Sequence, residues 1–159
     1  MKTVRVAVVT AEFNGDITAA LRDGALAALG EAGVTEIVDI AVAGALELPV
    51  LARVLAATCD AIIAIGAVIE GETDHYAHVC TQTSAGLMQV SVETGVPIGN
   101  AVLTVRKYEH ARERSLPGPG NKGAEAVQAA LQSVAAIRSL SDGVARLVSV
   151  DDARSTGSH

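Results

Sequence analysis

The sequence predicts an α/β fold: a three-layer αβα sandwich around a four-stranded parallel sheet. Three observations lead there. Apolar runs alternate with helical patterns in the order β-α-β-α-β-α-β-α-α, and right-handed crossovers of that kind give parallel strands with helices on both faces. The first run, Val4-Arg5-Val6-Ala7-Val8-Val9-Thr10, is β-branched and lacks the polar alternation of a half-exposed strand, which marks burial on both faces. Turns that carry glycine follow the first three strands, and in an open α/β sheet ligands bind at that edge. Four strands is few for such a sheet, so its edges and Ala-rich helix faces are expected to be covered by neighbouring subunits.

Strand one ends at Ala11-Glu12-Phe13-Asn14-Gly15. Phe13 is the only phenylalanine in the chain. It is either a packing residue or a ring that stacks on a planar ligand. Asp16 is placed to cap the next helix, whose Ile17, Leu21, Ala25 and Leu29 recur at helical spacing before Gly33 closes it. Glu36 to Val42 is strand two. Ala43-Gly44-Ala45-Leu46-Glu47-Leu48-Pro49 then turns into a helix running to about Thr58, and Pro49 suits a first helical turn. Glu47 either stabilises that helix dipole or accepts from a ligand hydroxyl at the sheet edge.

Asp60 to Val68 is strand three. The loop Gly66-Ala67-Val68-Ile69-Glu70-Gly71-Glu72-Thr73-Asp74-His75 leads into a helix over Tyr76 to Thr94 carrying Val79, Leu87 and Val90. Backbone N–H groups at such a loop and helix N-terminus hold anions such as phosphate. Thr73 adds a hydroxyl or serves as the N-cap. His75 adds the side-chain type that titrates near neutral pH. Pro97 to Thr104 is strand four. Asn100 within it is either paired to backbone or pointed at a ligand. Arg106 to Ser115 is a short charged helix, broken by Leu116-Pro117-Gly118-Pro119-Gly120. Asn121 caps the last helix, with Ala124, Val127, Leu131, Val134 and Ile137 as its apolar stripe. Residues 1–140 form the α/β domain. Residues 141–159 are a C-terminal extension, expected to be partly disordered: a short apolar segment over Val144 to Val150, then a frayed tail.

Composition excludes several classes. Half of the 159 residues are hydrophobic but only 2% are aromatic, so the core is Ala, Val, Leu and Ile. Twelve basic against 18 acidic residues give a net charge of −6, with no basic cluster for nucleic acid. No apolar stretch is long enough to span a membrane, and no apolar leader precedes strand one. Cys59 and Cys80 lack metal-ligand spacing and a disulfide framework, and read as reduced, buried cysteines of a cytoplasmic protein.

Four stretches, taken in order, resemble lumazine synthases (6,7-dimethyl-8-ribityllumazine synthases) of riboflavin biosynthesis: Glu12-Phe13-Asn14, Gly44 to Pro49, Gly66 to His75, and Gly120-Asn121-Lys122-Gly123. Asn100 to Thr104 and Glu113-Arg114 also fit, and the resemblance covers roughly residues 4 to 138. It implies a flavodoxin-like fold assembled as an oligomeric ring. It also implies a transferase that condenses 5-amino-6-ribitylaminopyrimidinedione with 3,4-dihydroxy-2-butanone 4-phosphate, releasing phosphate and water without a metal or organic cofactor.

By resemblance, Gly71, Glu72 and Thr73 supply the phosphate loop, and Arg114 is the phosphate-binding arginine, reaching in from a neighbouring subunit. His75 transfers protons and Phe13 stacks on the pyrimidine. Ala45, Leu46 and Glu47 line the ribityl chain, Asn100 touches it, and Lys122 meets the pyrimidine carbonyl edge. The partners implied are the two small-molecule substrates and other copies of this chain: a pentamer, which in some members assembles further into a 60-subunit shell. No N-terminal arm of the kind that adds a strand to a neighbour in many shell-forming members precedes strand one.

Glu70 and Asp74 stand where the common family form has arginine and proline, and Tyr76 replaces a phenylalanine. With Glu72 they place three acids at the phosphate loop, so a working site requires those side chains to point outward. The alternative function is a catalytically weak homologue acting as a structural cage or a flavin-binding protein.

Overall fold

A computed structural model describes residues 2–143 and 149. The apolar segment expected over 144–150, Ser149 apart, and the tail over 151–159 lie outside the described residues. The elements run β1 (Arg5–Ala11), α1 (Gly15–Glu31), β2 (Glu36–Val42), a 3₁₀ turn (Ala45–Glu47), α2 (Leu48–Leu55), β3 (Ala61–Ile69), α3 (His75–Thr94), β4 (Ile98–Val105), α4 (Tyr108–Ser115) and α5 (Lys122–Ser141).

The four strands form one parallel sheet in the order β2-β1-β3-β4. This is the flavodoxin-like α/β arrangement. β1 and β3 occupy the middle, and their apolar runs are buried along nearly their whole length, whereas β2 and β4 are partly exposed edges. Side chains alternate across the pleat, so each central strand feeds two cores. Val6, Val8, Ile63 and Ile65 pack under α1, α4 and α5. Ala7, Val9, Ile62 and Ala64 pack under α2 and α3.

The α1 face is as the helical spacing predicts: Ile17, Leu21, Ala25 and Leu29 are all buried. Its start is different. Asn14, not Asp16, is the N-cap residue, in the left-handed region at φ 57°, and its carbonyl accepts from Ile17 N and Thr18 N. The Asp16 carboxylate instead accepts from the Tyr108 hydroxyl. At α3, Thr73 is one residue too early to be the N-cap, which is Asp74. Helix α2 ends at Leu55, with looser turns carrying the chain to Thr58.

Asn121 caps α5 as expected, its Oδ1 accepting from Gly123 N and Ala124 N. Of the expected stripe, Val127 and Val134 are buried, Ala124 and Leu131 are half-buried and Ile137 is exposed; Gly123, Ala126 and Ala130 complete the buried face. Close packing against α1 selects small residues there: a Cβ at Gly123 would overlap the Leu21 carbonyl, and one at Gly24 would overlap the Asn121 side chain. Cys59 is buried, but Cys80 is only half-buried, contrary to expectation.

Candidate active site

Strand order reverses between β1 and β3, since β1 leads outward to β2 and β3 to β4. At such a switch point the loops beyond the carboxyl ends part and leave a crevice. Three loops line it here.

The first follows β1. Glu12 N and Phe13 N donate to Val42 O and Ala43 O, extending the ladder past the strand ends. The Phe13 residue is 73% exposed at the rim of the crevice, so packing within its own chain does not account for it. Asn14 then turns the chain, and its amide Nδ2 donates to Ala67 O at 2.8 Å, tying this loop to the end of β3.

The second follows β2. Gly44, in extended conformation, leads into the 3₁₀ turn over Ala45–Glu47, where Glu47 Oε2 accepts from Gly44 N at 2.9 Å. The carboxylate is therefore held in place by the turn it belongs to. Pro49 sits in the first turn of α2.

The third follows β3. Glu70 N donates to Val105 O, and the Glu70 carboxylate pairs with Arg106 at 3.6 Å. Thr73 Oγ1 accepts from His75 N at 3.4 Å. Helix α3, 20 residues long, begins here, and its positive end faces this loop.

Together these loops bound a cavity of about 420 Å³. Seven of the expected site residues line it: Phe13, Ala45, Leu46, Glu47, Gly71, Thr73 and His75. Glu72 does not line it, nor do Glu70 and Asp74, and the Glu70 carboxylate is taken up by Arg106. Among the described residues, no three His, Cys, Asp or Glu side chains cluster as metal ligands would.

Asn100, Arg114 and Lys122 lie elsewhere. Asn100 is exposed on edge strand β4, and its Oδ1 accepts from Val102 N at 2.9 Å. Arg114, in the last turn of α4, donates to His110 O at 2.9 Å and is half-exposed. Lys122 pairs with Glu125 at 2.7 Å in the first turn of α5. None of the three borders the cavity of its own chain.

Sequence reasoning passed over Asn14 and Tyr76, both of which line the cavity. Asn14 was legible as part of a motif, but its bridge to Ala67 depends on a left-handed turn. Tyr76 stands three residues before the buried Val79, on the helix face turned inward. Burial pushes the Tyr76 phenol above its ordinary value, and the neighbouring Cys80 thiol adds to this.

Comparison with known proteins shows the family. The family profile described as 6,7-dimethyl-8-ribityllumazine synthase matches residues 3–138. The chain is 49% identical over 138 residues to the 6,7-dimethyl-8-ribityllumazine synthase of Kineococcus radiotolerans, covering 85% of this chain and 86% of that one. It is 46% identical over 142 residues to the protein of the same name from Streptomyces coelicolor, covering 87% and 88% respectively. For that of Mycobacteroides abscessus the identity is 41% over 139 residues, covering 86% and 87%. With a family match over most of its length and three loops that build one crevice at the sheet's switch point, this chain belongs to the 6,7-dimethyl-8-ribityllumazine synthase family.

Proposed function

We propose that the chain performs its family's reaction in a site shared between adjacent subunits, with His75 as the proton-transfer residue. The activity follows from the family: a transferase of riboflavin biosynthesis that condenses 5-amino-6-ribitylaminopyrimidinedione with 3,4-dihydroxy-2-butanone 4-phosphate.

One observation carries it. The cavity holds Phe13, Glu47, Thr73 and His75, whereas Arg114 and Lys122 stay outside it. Within one chain, the phosphate loop therefore lacks its arginine, and a neighbouring subunit is the natural source. The surface supports association. Val50 and Val54 on α2 and Met88 and Val92 on α3 are each at least 59% exposed, an apolar excess that fits a ring of copies such as the pentamer. Among the described residues, no helix is long and apolar enough to cross a membrane, and free Cys59 and Cys80 fit a cytoplasmic location.

The chemistry asks an amine to attack a ketone, a carbinolamine to lose water and a phosphate to leave. Phe13 stacks on the pyrimidine from the rim, and Ala45, Leu46 and Glu47 receive the ribityl chain, with the Glu47 carboxylate accepting from its hydroxyls. Gly71 and Thr73, with the α3 N-terminus, cradle the phosphate, and the neighbour's arginine completes its neutralisation. An imidazole in this place takes a proton from the attacking amine and returns one to the carbinolamine hydroxyl, which leaves as water. No covalent nucleophile is needed. Most of the acceleration comes from holding two reactive partners together, which contributes about 7–11 kcal/mol in favourable cases.

The test is direct. Purified protein is mixed with both substrates, and lumazine absorbance is followed against the uncatalysed background, with Arg114→Ala in parallel. The proposal predicts an enzyme-dependent rate that Arg114→Ala cuts. A trace equal to background from folded, assembled protein would refute it and favour a structural or flavin-binding role.

A further inference from the structure

Helix α4 carries Arg114 but has little to hold it in place. It is eight residues long, and only Ala111 and Ser115 are buried. Its N-cap, Lys107, makes no side-chain capping bond. A helix this short is marginal by itself in water, so tertiary anchors decide where Arg114 stands. The C-terminal anchor is Asn121, whose amide donates to Ser115 O at 3.0 Å. At the other end, the Tyr108 hydroxyl donates to the Asp16 carboxylate in the first turn of α1. Tyr108, Ala111 and Ser115 are spaced to share one helix face, and Ala111 packs in the same core as Ile17 and Leu21 of α1.

The two helices are unequal partners. Helix α1 is 17 residues long and anchored by Ile17, Leu21, Ala25 and Leu29, each no more than 2% exposed. The Tyr108–Asp16 bond thus fixes α4 to a rigid element, rather than the reverse. We infer that Tyr108, acting through Asp16, is a positioning residue for phosphate recognition: it locks the N-terminal end of α4 so that the helix delivers Arg114 in register to the adjacent subunit's phosphate loop. This rests on the reading of Arg114 given above.

Tyr108→Phe keeps a ring that is already 42% exposed and removes one hydroxyl, so the fold is retained. Wild type, Tyr108→Phe, Asp16→Ala, Asp16→Asn and Arg114→Ala are compared by steady-state kinetics, with inorganic phosphate as a competitive probe. Tyr108→Phe and Asp16→Ala should each raise the KM for the butanone phosphate and the Ki of phosphate about fivefold, the factor one ordinary net hydrogen bond is worth. The KM for the aminopyrimidine should not move. Asp16→Asn keeps an acceptor and should fall between wild type and Asp16→Ala. The double variant Tyr108→Phe/Asp16→Ala should be no worse than either single one.

An unchanged phosphate Ki in Tyr108→Phe and Asp16→Ala, beside a raised one in Arg114→Ala, would overturn the inference and leave the site reading intact. Equal losses for both substrates would also overturn it, as general loosening. If Arg114→Ala itself leaves phosphate binding unchanged, the underlying reading fails, and the inference with it.

Discussion

Asn121→Ala should be among the most destabilising single changes in this chain, and its cost can be worked out bond by bond. The side chain is 1% exposed and makes four hydrogen bonds. Its oxygen accepts from Gly123 N at 2.9 Å and Ala124 N at 3.1 Å, capping α5. Its amide donates to Ser115 O at 3.0 Å and Ala20 O at 3.3 Å, joining α4 and α1. Losing a cap costs about 1–2 kcal/mol. Two carbonyls stripped of a donor add about 1 kcal/mol each. The sum is about 3–4 kcal/mol, equivalent to a fall in Tm of about 10 °C for a chain of this size. Asn121→Ser keeps the capping oxygen and should cost about 2 kcal/mol, the amide share alone. Urea titration and thermal melting, at one fixed protomer concentration because assembly adds to apparent stability, read both variants. An Asn121→Ala loss below about 0.5 kcal/mol, or equal losses for Ala and Ser, would refute the accounting.

Further outcomes follow from the same contacts. Gly123→Ala places a Cβ against the Leu21 carbonyl, which is backbone and cannot swing away; α5 must shift, at about 1–3 kcal/mol by urea titration. His75→Ala should lower kcat about 10²–10⁴-fold without abolishing turnover, since proximity survives; a completely dead but folded variant would contradict that division of labour. The Tyr108 hydroxyl holds the Asp16 carboxyl below its ordinary 3.8, and Asp16 holds the phenol above its ordinary 10.0. The Asp16 contribution to stability is thus full above pH 3.8 and lost as pH falls through the lowered value. The Tyr108 contribution is full below pH 10.0 and lost as pH rises through the raised one. A coupling between Tyr108→Phe and Asp16→Ala, measured by urea titration across pH, should be flat in the middle range and decay at both ends.

Much of the fold was legible because its signals are local. The β-branched run at Val6 to Thr10 and the Ile17-Leu21-Ala25-Leu29 spacing each report burial of one element, and the structure buries both. The loops that build the cavity were legible for a related reason: each follows a strand end, so topology alone brings Phe13, Glu47 and His75 to one edge. What escaped depends on contacts distant in sequence. The inner face of α5 is set by how closely Gly123 meets α1, and no periodicity of large apolar residues records that. Asp16 looks like a cap, yet its partner is Tyr108, 92 residues away. Asn14 adopts a left-handed turn, and its amide bridges to Ala67, 53 residues away. The placement of Arg114 and Lys122 outside the cavity is a further case, because a site proposed to be shared between copies cannot be seen in one chain.

Mixed rings test most directly whether histidine and arginine of one site come from adjacent subunits. His75→Ala and Arg114→Ala chains, carrying different tags, are co-expressed and isolated as mixed assemblies, and lumazine formation is compared with that of each parent. If every site takes its histidine from one subunit and its arginine from the next, random mixing rebuilds both in about a quarter of the sites, and activity rises toward that fraction of wild type. If histidine and arginine of the same chain act together, no mixing restores a site, and the mixed rings stay at the mean of their impaired parents.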